Sequence, residues 1–281
     1  MYQYTEAIDS IKWVRRTKAI GFDLDGVLYF GNQLAQDACE TVSFLRSKGL
    51  RVLFITNNSA RTRTEIAEKI TRMGIQASFQ DVFSSAYAAA VFLRGIVQEG
   101  ATILVIGSDG LKKELRDLNM DLVMRPPCDF IVVGYDVTFD YERLCVALDA
   151  ILGGAKFLAC NRVANYPVEN GRLMPGCGAM VAAIESASQK KPDFLVGKPN
   201  TLLLEMACSK HGLKPNEILM VGDELESDII MANHFGSPSA FLLNNSAKGN
   251  LHPASPELRP TVILNGLKDL VALFHPAEGG K

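Results

Sequence analysis

Short apolar runs alternate with helical patterns from residue 19 to residue 264. Residues 19–24 read as a buried strand that ends in acids. Residues 34–48 read as a helix, with Ala35, Cys39, Val42 and Leu45 on one face and Gly49 as its stop. Residues 52–56 form the next expected strand, and 62–73 the next helix, stopped by Gly74. Further strands are expected at 103–106, 130–133, 157–159, 194–196, 218–221, 240–243 and 262–264, with helices at 111–118 and 141–152. This order predicts an α/β fold, a parallel sheet covered by helices on both faces. Gly/Pro-rich or polar loops are expected at 189–192 and 244–260. A length of 281 residues suits roughly two domains.

In open α/β sheets, ligands bind beyond the carboxyl ends of the strands. Several clusters of polar residues stand at such ends. Asp23-Leu24-Asp25-Gly26 follows an apolar strand directly. Paired acids there are costly in a core but sensible over a metal ion. One carboxylate can attack phosphorus while the other moves protons. A solvated strand end would read the same way in isolation. Thr56-Asn57-Asn58-Ser59 offers a hydroxyl and amides before a helix, which suits a phosphate oxygen or an ordinary helix cap. Lys198, in Gly197-Lys198-Pro199, is placed to neutralise phosphate charge or to sit at a surface turn. Asp223, Glu224, Glu226 and Asp228 supply four acids within six residues, fit for a hard divalent cation or for a charged turn.

Other patterns carry less. The Asn57-Asn58-Ser59 and Asn244-Asn245-Ser246 triplets match the glycosylation pattern without any sign of secretion. Gly176-Cys177-Gly178 follows Met174-Pro175 rather than a strand and lacks the third glycine of a dinucleotide loop. Six scattered cysteines with no Cys-x-x-Cys pair suggest reduced core thiols and a cytoplasmic protein. The net charge of -2 shows no general attraction to nucleic acid or to membrane. The N-terminal stretch has charges throughout and no apolar core, unlike a signal peptide.

Taken in order, the four clusters resemble the four motifs of the haloacid dehalogenase superfamily. Asp23-Leu24-Asp25-Gly26-Val27-Leu28-Tyr29, Thr56-Asn57-Asn58, Lys198, and Gly222-Asp223 with Asp228 correspond in turn. A narrower similarity, to the NagD-like branch, rests on Ile55 to Ser59 with Arg61-Thr62, on Pro175-Gly176-x-Gly178 and on Gly197-Lys198-Pro199. That branch includes 4-nitrophenylphosphatases, phosphoglycolate phosphatases and pyridoxal phosphate phosphatases. The resemblance implies a Rossmann-like parallel-sheet core, residues 1–81 plus 190–281, with an inserted α/β cap domain at 82–189. It implies a phosphatase that uses Mg2+ and an aspartyl-phosphate. Asp23 would be nucleophile and metal ligand, and Asp25 the acid/base, its backbone carbonyl on the metal. Asp223 would complete the protein ligands. Asp228 would stand behind them, holding metal-bound water or Lys198. Thr56, Asn57, Asn58 and Lys198 would face the phosphoryl group.

Departures from the branch are Glu224 and Ser227, where Arg and Thr are usual, and Cys160 and Val163 in the cap segment. Residues 161–166 are expected to set specificity, with Asn161, Arg162 and Tyr166 as candidates. Tyr166 stands where similar pyridoxal phosphatases carry histidine, which argues against that substrate. Arg162 suits a carboxylate such as that of phosphoglycolate, or faces solvent. The implied partner is a small phosphorylated metabolite, with a homodimer expected from the resemblance. A phosphotransferase on the same core and a non-catalytic binding protein are the alternatives. Intact acids at 23, 25 and 223 argue against the latter.

Overall fold

The computed structural model describes residues 9–167, 172–243 and 255–275. The Asn244-Asn245-Ser246 triplet, most of the expected 244–260 loop and residues 1–8 lie outside the described residues. The chain divides into two compact units. One comprises Met1–Ile55, Arg72–Ile75 and Leu204–Lys281, the other Thr56–Thr71 and Gln76–Leu203.

In the first unit, five strands line up as Val262–Leu264, Ser239–Leu242, Ile218–Gly222, Ala19–Phe22 and Arg51–Thr56, every pairing parallel. The last of these crosses the division by a single residue, Thr56. Ala19–Phe22 and Ile218–Gly222 are buried along their whole length, as the unbroken apolar runs require of central parallel strands. Phe22 pairs with Val221, so Asp23 and Asp223 leave the sheet from adjacent strands at the same edge.

The expected helix at 34–48 starts later, at Ala38, and runs to Ser47. Gln33–Leu34 instead pairs antiparallel with Tyr29–Phe30, turning at Gly31 with φ 57°. Leu34 is apolar because it lies on this small hairpin, not on a helical face. The Ala38–Ser47 helix packs near the Leu267–Phe274 helix, where the Thr41 hydroxyl donates to the Leu267 carbonyl at 3.4 Å. After Gly222 the chain makes one wide π-helical turn, Leu225–Ile229, a form enriched at functional sites.

The second unit holds its own parallel sheet, in the order Phe194–Leu195, Lys156–Ala159, Phe130–Val133, Thr102–Ile106 and Asp121–Val123. A separate antiparallel hairpin joins Asn165–Pro167 to Leu173–Pro175. Helices Ser85–Ile96, Asp109–Asp117, Tyr141–Leu152 and Cys177–Ser188 accompany the sheet. The first and last of these have no strong polar face and are alanine-rich, which blurs their helical period in sequence. The expected cap, 82–189, falls inside this unit, which also takes in 56–71, 76–81 and 190–203. Among the described residues no helix is long and apolar enough to cross a membrane.

Candidate active site

The carboxylates of Asp23, Asp223 and Asp228 come together in the first unit, one oxygen of each lying within 4.8 Å of the others. Asp23 is 8% exposed and Asp228 fully buried. Three like charges so close, two of them buried and Asp223 partly so, call for positive charge between them. Their donors are hard oxygens, the set that Mg2+ and Ca2+ prefer, so the residues fit such an ion.

Local structure builds this cluster from three directions. The Asp23 amide continues the sheet by donating to the Val221 carbonyl at 2.9 Å. The chain then folds back, with the Leu28 and Tyr29 amides donating to the Leu24 carbonyl at 2.9 and 3.2 Å. Gly26 turns at φ 91°, and a Cβ there would strike the Asp223 carboxylate. A Cβ at Gly222 would likewise fall on the Asp228 side chain. The two glycines therefore make the space that the carboxylates fill. Asp228 returns to the strand end through the π-helical turn, and one of its oxygens accepts the Glu224 amide at 3.2 Å. The Asp25 side chain is placed separately, accepting from the Tyr29 hydroxyl at 3.2 Å. Tyr29 is thus a partner of Asp25, a pairing its place in the apolar end of the motif does not announce. The i to i+4 spacing across a tight turn was the available signal.

In the second unit, the loop after Thr56 is held on every side. The strand order of that unit's sheet reverses between Thr102–Ile106 and Phe130–Val133, where an α/β sheet commonly takes a ligand. Here the chain's own loop occupies that position. The Ser59 hydroxyl accepts the Tyr135 amide at 2.8 Å, and the Ser108 hydroxyl donates to the Ala60 carbonyl at 2.7 Å. A Cβ at Gly110 would collide with that same carbonyl. Asn58 turns the loop internally, its Oδ1 accepting the Ala60 and Arg61 amides at 3.0 Å each. The Asn58 amide in turn donates to the Thr56 hydroxyl at 3.1 Å.

Asn57 reaches to Lys198, a residue only 4% exposed. Its Oδ1 accepts the Lys198 amide at 2.8 Å and its Nδ2 donates to the Lys198 carbonyl at 3.2 Å. The Asn57 carbonyl accepts from the Ser85 hydroxyl and from Asn161 Nδ2, both at 2.7 Å. Ser85 carried no sequence signal for this contact.

The remaining cap candidates lie on or beside the same unit's hairpin. The Tyr166 hydroxyl meets the Tyr135 hydroxyl at 2.8 Å, with the rings edge-on. Arg162 is bound to the Glu185 carboxylate at 2.7 Å. Gly176 and Gly178 lie where a Cβ would strike the Val163 and Arg162 carbonyls, so this pair of glycines serves close packing at a helix start.

With this geometry in place, likeness to known proteins becomes informative. Residues 20–121 match the model for haloacid dehalogenase-like hydrolases, and residues 195–270 match a second, HAD-hydrolase-like model. Sugar-phosphatase AraL of Bacillus subtilis (strain 168) is 33% identical over 252 residues, spanning 89% of this chain and 91% of that protein. The chain belongs to the haloacid dehalogenase-like hydrolases. The glycerol-3-phosphate phosphatase of Gallus gallus is 31% identical over 280 residues, 89% of each protein. A glycerol phosphate phosphatase from Mycobacterium tuberculosis, solved in complex with magnesium, has 33% identity and a TM-score of 0.84, over 92% of this chain and 78% of that one. A 4-nitrophenylphosphatase from Thermotoga maritima superposes with a TM-score of 0.83 at 27% identity. This haloacid dehalogenase-like chain is accordingly a phosphoric monoester hydrolase of the NagD-like and 4-nitrophenylphosphatase branch.

Proposed function

We propose that the protein is a magnesium-dependent phosphatase of small phosphomonoesters in which Asp23 is the nucleophile. The observation that carries this reading is the clustering of Asp23, Asp223 and Asp228 at one sheet edge. Asp23 and Asp223 side chains, with the Asp25 carbonyl, would hold Mg2+, and Asp228 would orient water on the ion. When bound, the ion would draw charge from the phosphoryl oxygens. Thr56, the Asn57–Asn58 turn and Lys198 would hold those oxygens and balance their charge.

An Asp23 oxygen attacks phosphorus as the bond to the leaving oxygen breaks, and Asp25 gives that oxygen its proton. Asp25 then takes a proton from water. The water oxygen attacks phosphorus, the bond to Asp23 breaks, and inorganic phosphate leaves. The Tyr29 hydroxyl steadies the Asp25 carboxyl through both steps.

Residues 82–189 would act as the cap that selects the alcohol portion. The Arg162–Glu185 pair argues for an alcohol portion that bears hydroxyls over the carboxylate of phosphoglycolate, because Glu185 already balances the guanidinium charge. The hydroxyl-bearing substrates named for the sugar and glycerol phosphate phosphatases fit the same preference. The test is hydrolysis of 4-nitrophenyl phosphate, glycerol 3-phosphate and phosphoglycolate in chelator and after adding Mg2+. Activity should vanish in chelator, return with Mg2+, and show a higher kcat/KM for glycerol 3-phosphate than for phosphoglycolate. Full activity in chelator overturns the metal assignment.

A further inference from the structure

We infer that Asn161 is a positioning residue, which acts through Asn57 on Lys198 and does not read the alcohol portion of the substrate. The inference rests on the reading of Lys198 as the lysine that binds phosphate.

Asn161 follows the Lys156–Ala159 strand and is 3% exposed. Both arms of its amide are engaged within the protein. Nδ2 donates to the Asn57 carbonyl at 2.7 Å, and Oδ1 accepts the Val163 amide at 3.1 Å. A side chain buried and bonded in this way has little left with which to recognise a substrate. The bond to Asn57 joins residues 104 apart in sequence.

Asn57 passes the constraint on. Its side-chain amide closes on both backbone polar groups of Lys198, as a neighbouring strand would. The preceding residue is locked as well. The Gly197 amide donates to the Cys160 carbonyl at 2.8 Å, and a Cβ on Gly197 would collide with that carbonyl and with Asn57 Oδ1. Asn161, Asn57 and the 197–198 backbone thus form one continuous strap. A lysine side chain has four rotatable bonds and loses much entropy when ordered. Fixing and burying its backbone removes the first source of that disorder, which is where preorganised charge gains its effect on a phosphoryl group.

The test is a double-mutant cycle on the full-length protein with Mg2+ present, read as the Kd of inorganic phosphate, which needs no turnover. Asn161→Ala should raise that Kd about tenfold, the scale of one lost hydrogen bond to a constrained group. In a Lys198→Met background the same change should move Kd by less than about twofold, because coupled residues are not additive. The kcat/KM values for 4-nitrophenyl phosphate and glycerol 3-phosphate should fall by the same factor. Asn161→Leu keeps the side-chain shape and loses both polar atoms without adding a charge, and should match Asn161→Ala. It carries the test if the alanine variant loses cooperative melting. Unequal effects on the two esters, or an equal Kd change in both backgrounds, overturn the inference and leave the proposed function standing. A wild-type Kd in Lys198→Met alone overturns the reading of Lys198, and the inference with it.

Discussion

At the scale of single residues, the chemistry depends on carboxylates being crowded where crowding is costly. Asp23 and Asp223 stood out in the sequence because four polar clusters occur in the order of one family's motifs, whereas either acid alone also suits a solvated strand end or a charged turn. Asp23→Asn should lower kcat by at least about a thousandfold, as loss of a covalent nucleophile does. Its melting curve should stay close to wild type, and a variant that keeps a tenth of the wild-type rate overturns the nucleophile assignment. Gly222 was not legible in this way. A methyl group there must displace the buried Asp228 carboxylate, so Gly222→Ala should cost about 1–3 kcal/mol, the range for overpacking a closed site. Urea denaturation and kcat measured together check this, and no change in either means that Asp228 has room to move. Asn57 shows the opposite limit of sequence reading. Its residue type suits a phosphate oxygen, yet both polar atoms of its side chain are spent on the Lys198 backbone.

At the scale of elements, strand and helix periods located most of the frame, and local chemistry fixed several ends. The Arg63–Arg72 helix begins at a capping box, with the Thr62 amide donating to the Glu65 carboxylate at 2.7 Å and the Glu65 amide donating to the Thr62 hydroxyl at 3.2 Å. The Cys177–Ser188 helix was not anticipated, and it carries a buried thiol against the Phe130–Val133 strand end. Cys177 donates to the Val133 carbonyl at 3.7 Å. Burial pushes this thiol up to about 11 from an ordinary value of 9.0. The folded state therefore keeps a proton that the unfolded chain releases first. The stability this contributes is fully present below pH 9 and is lost as pH rises towards about 11, on the order of 2 kcal/mol. Urea midpoints taken at pH 8 and pH 10.5 should show a steeper loss for wild type than for Cys177→Ala. Equal losses would mean that this thiol does not titrate differently on unfolding.

At the scale of the whole molecule, the chain leaves the first unit and returns to it. Three of that unit's five sheet strands, 218–222, 239–242 and 262–264, come after the second unit in sequence. A chain ending at residue 203 would leave the buried Ala19–Phe22 strand without its Ile218–Gly222 neighbour. Unpaired apolar edges aggregate, so this truncated chain should be insoluble or elute as aggregate in size-exclusion chromatography. A monodisperse product with native-like circular dichroism would show that the early strands find a fold alone.

The sequence by itself determined the α/β class, the strands that end in acids and the family, because hydrophobic period and short motifs are local properties. Tertiary structure decided which of those polar residues meet. The π-helical turn that returns Asp228 to Asp23 and the strap from Asn161 through Asn57 to Lys198 depend on partners brought close by folding. Side-chain amides and carboxylates look alike in a sequence whether they bind a ligand or bind the backbone. Only the geometry of their neighbours separates the two uses.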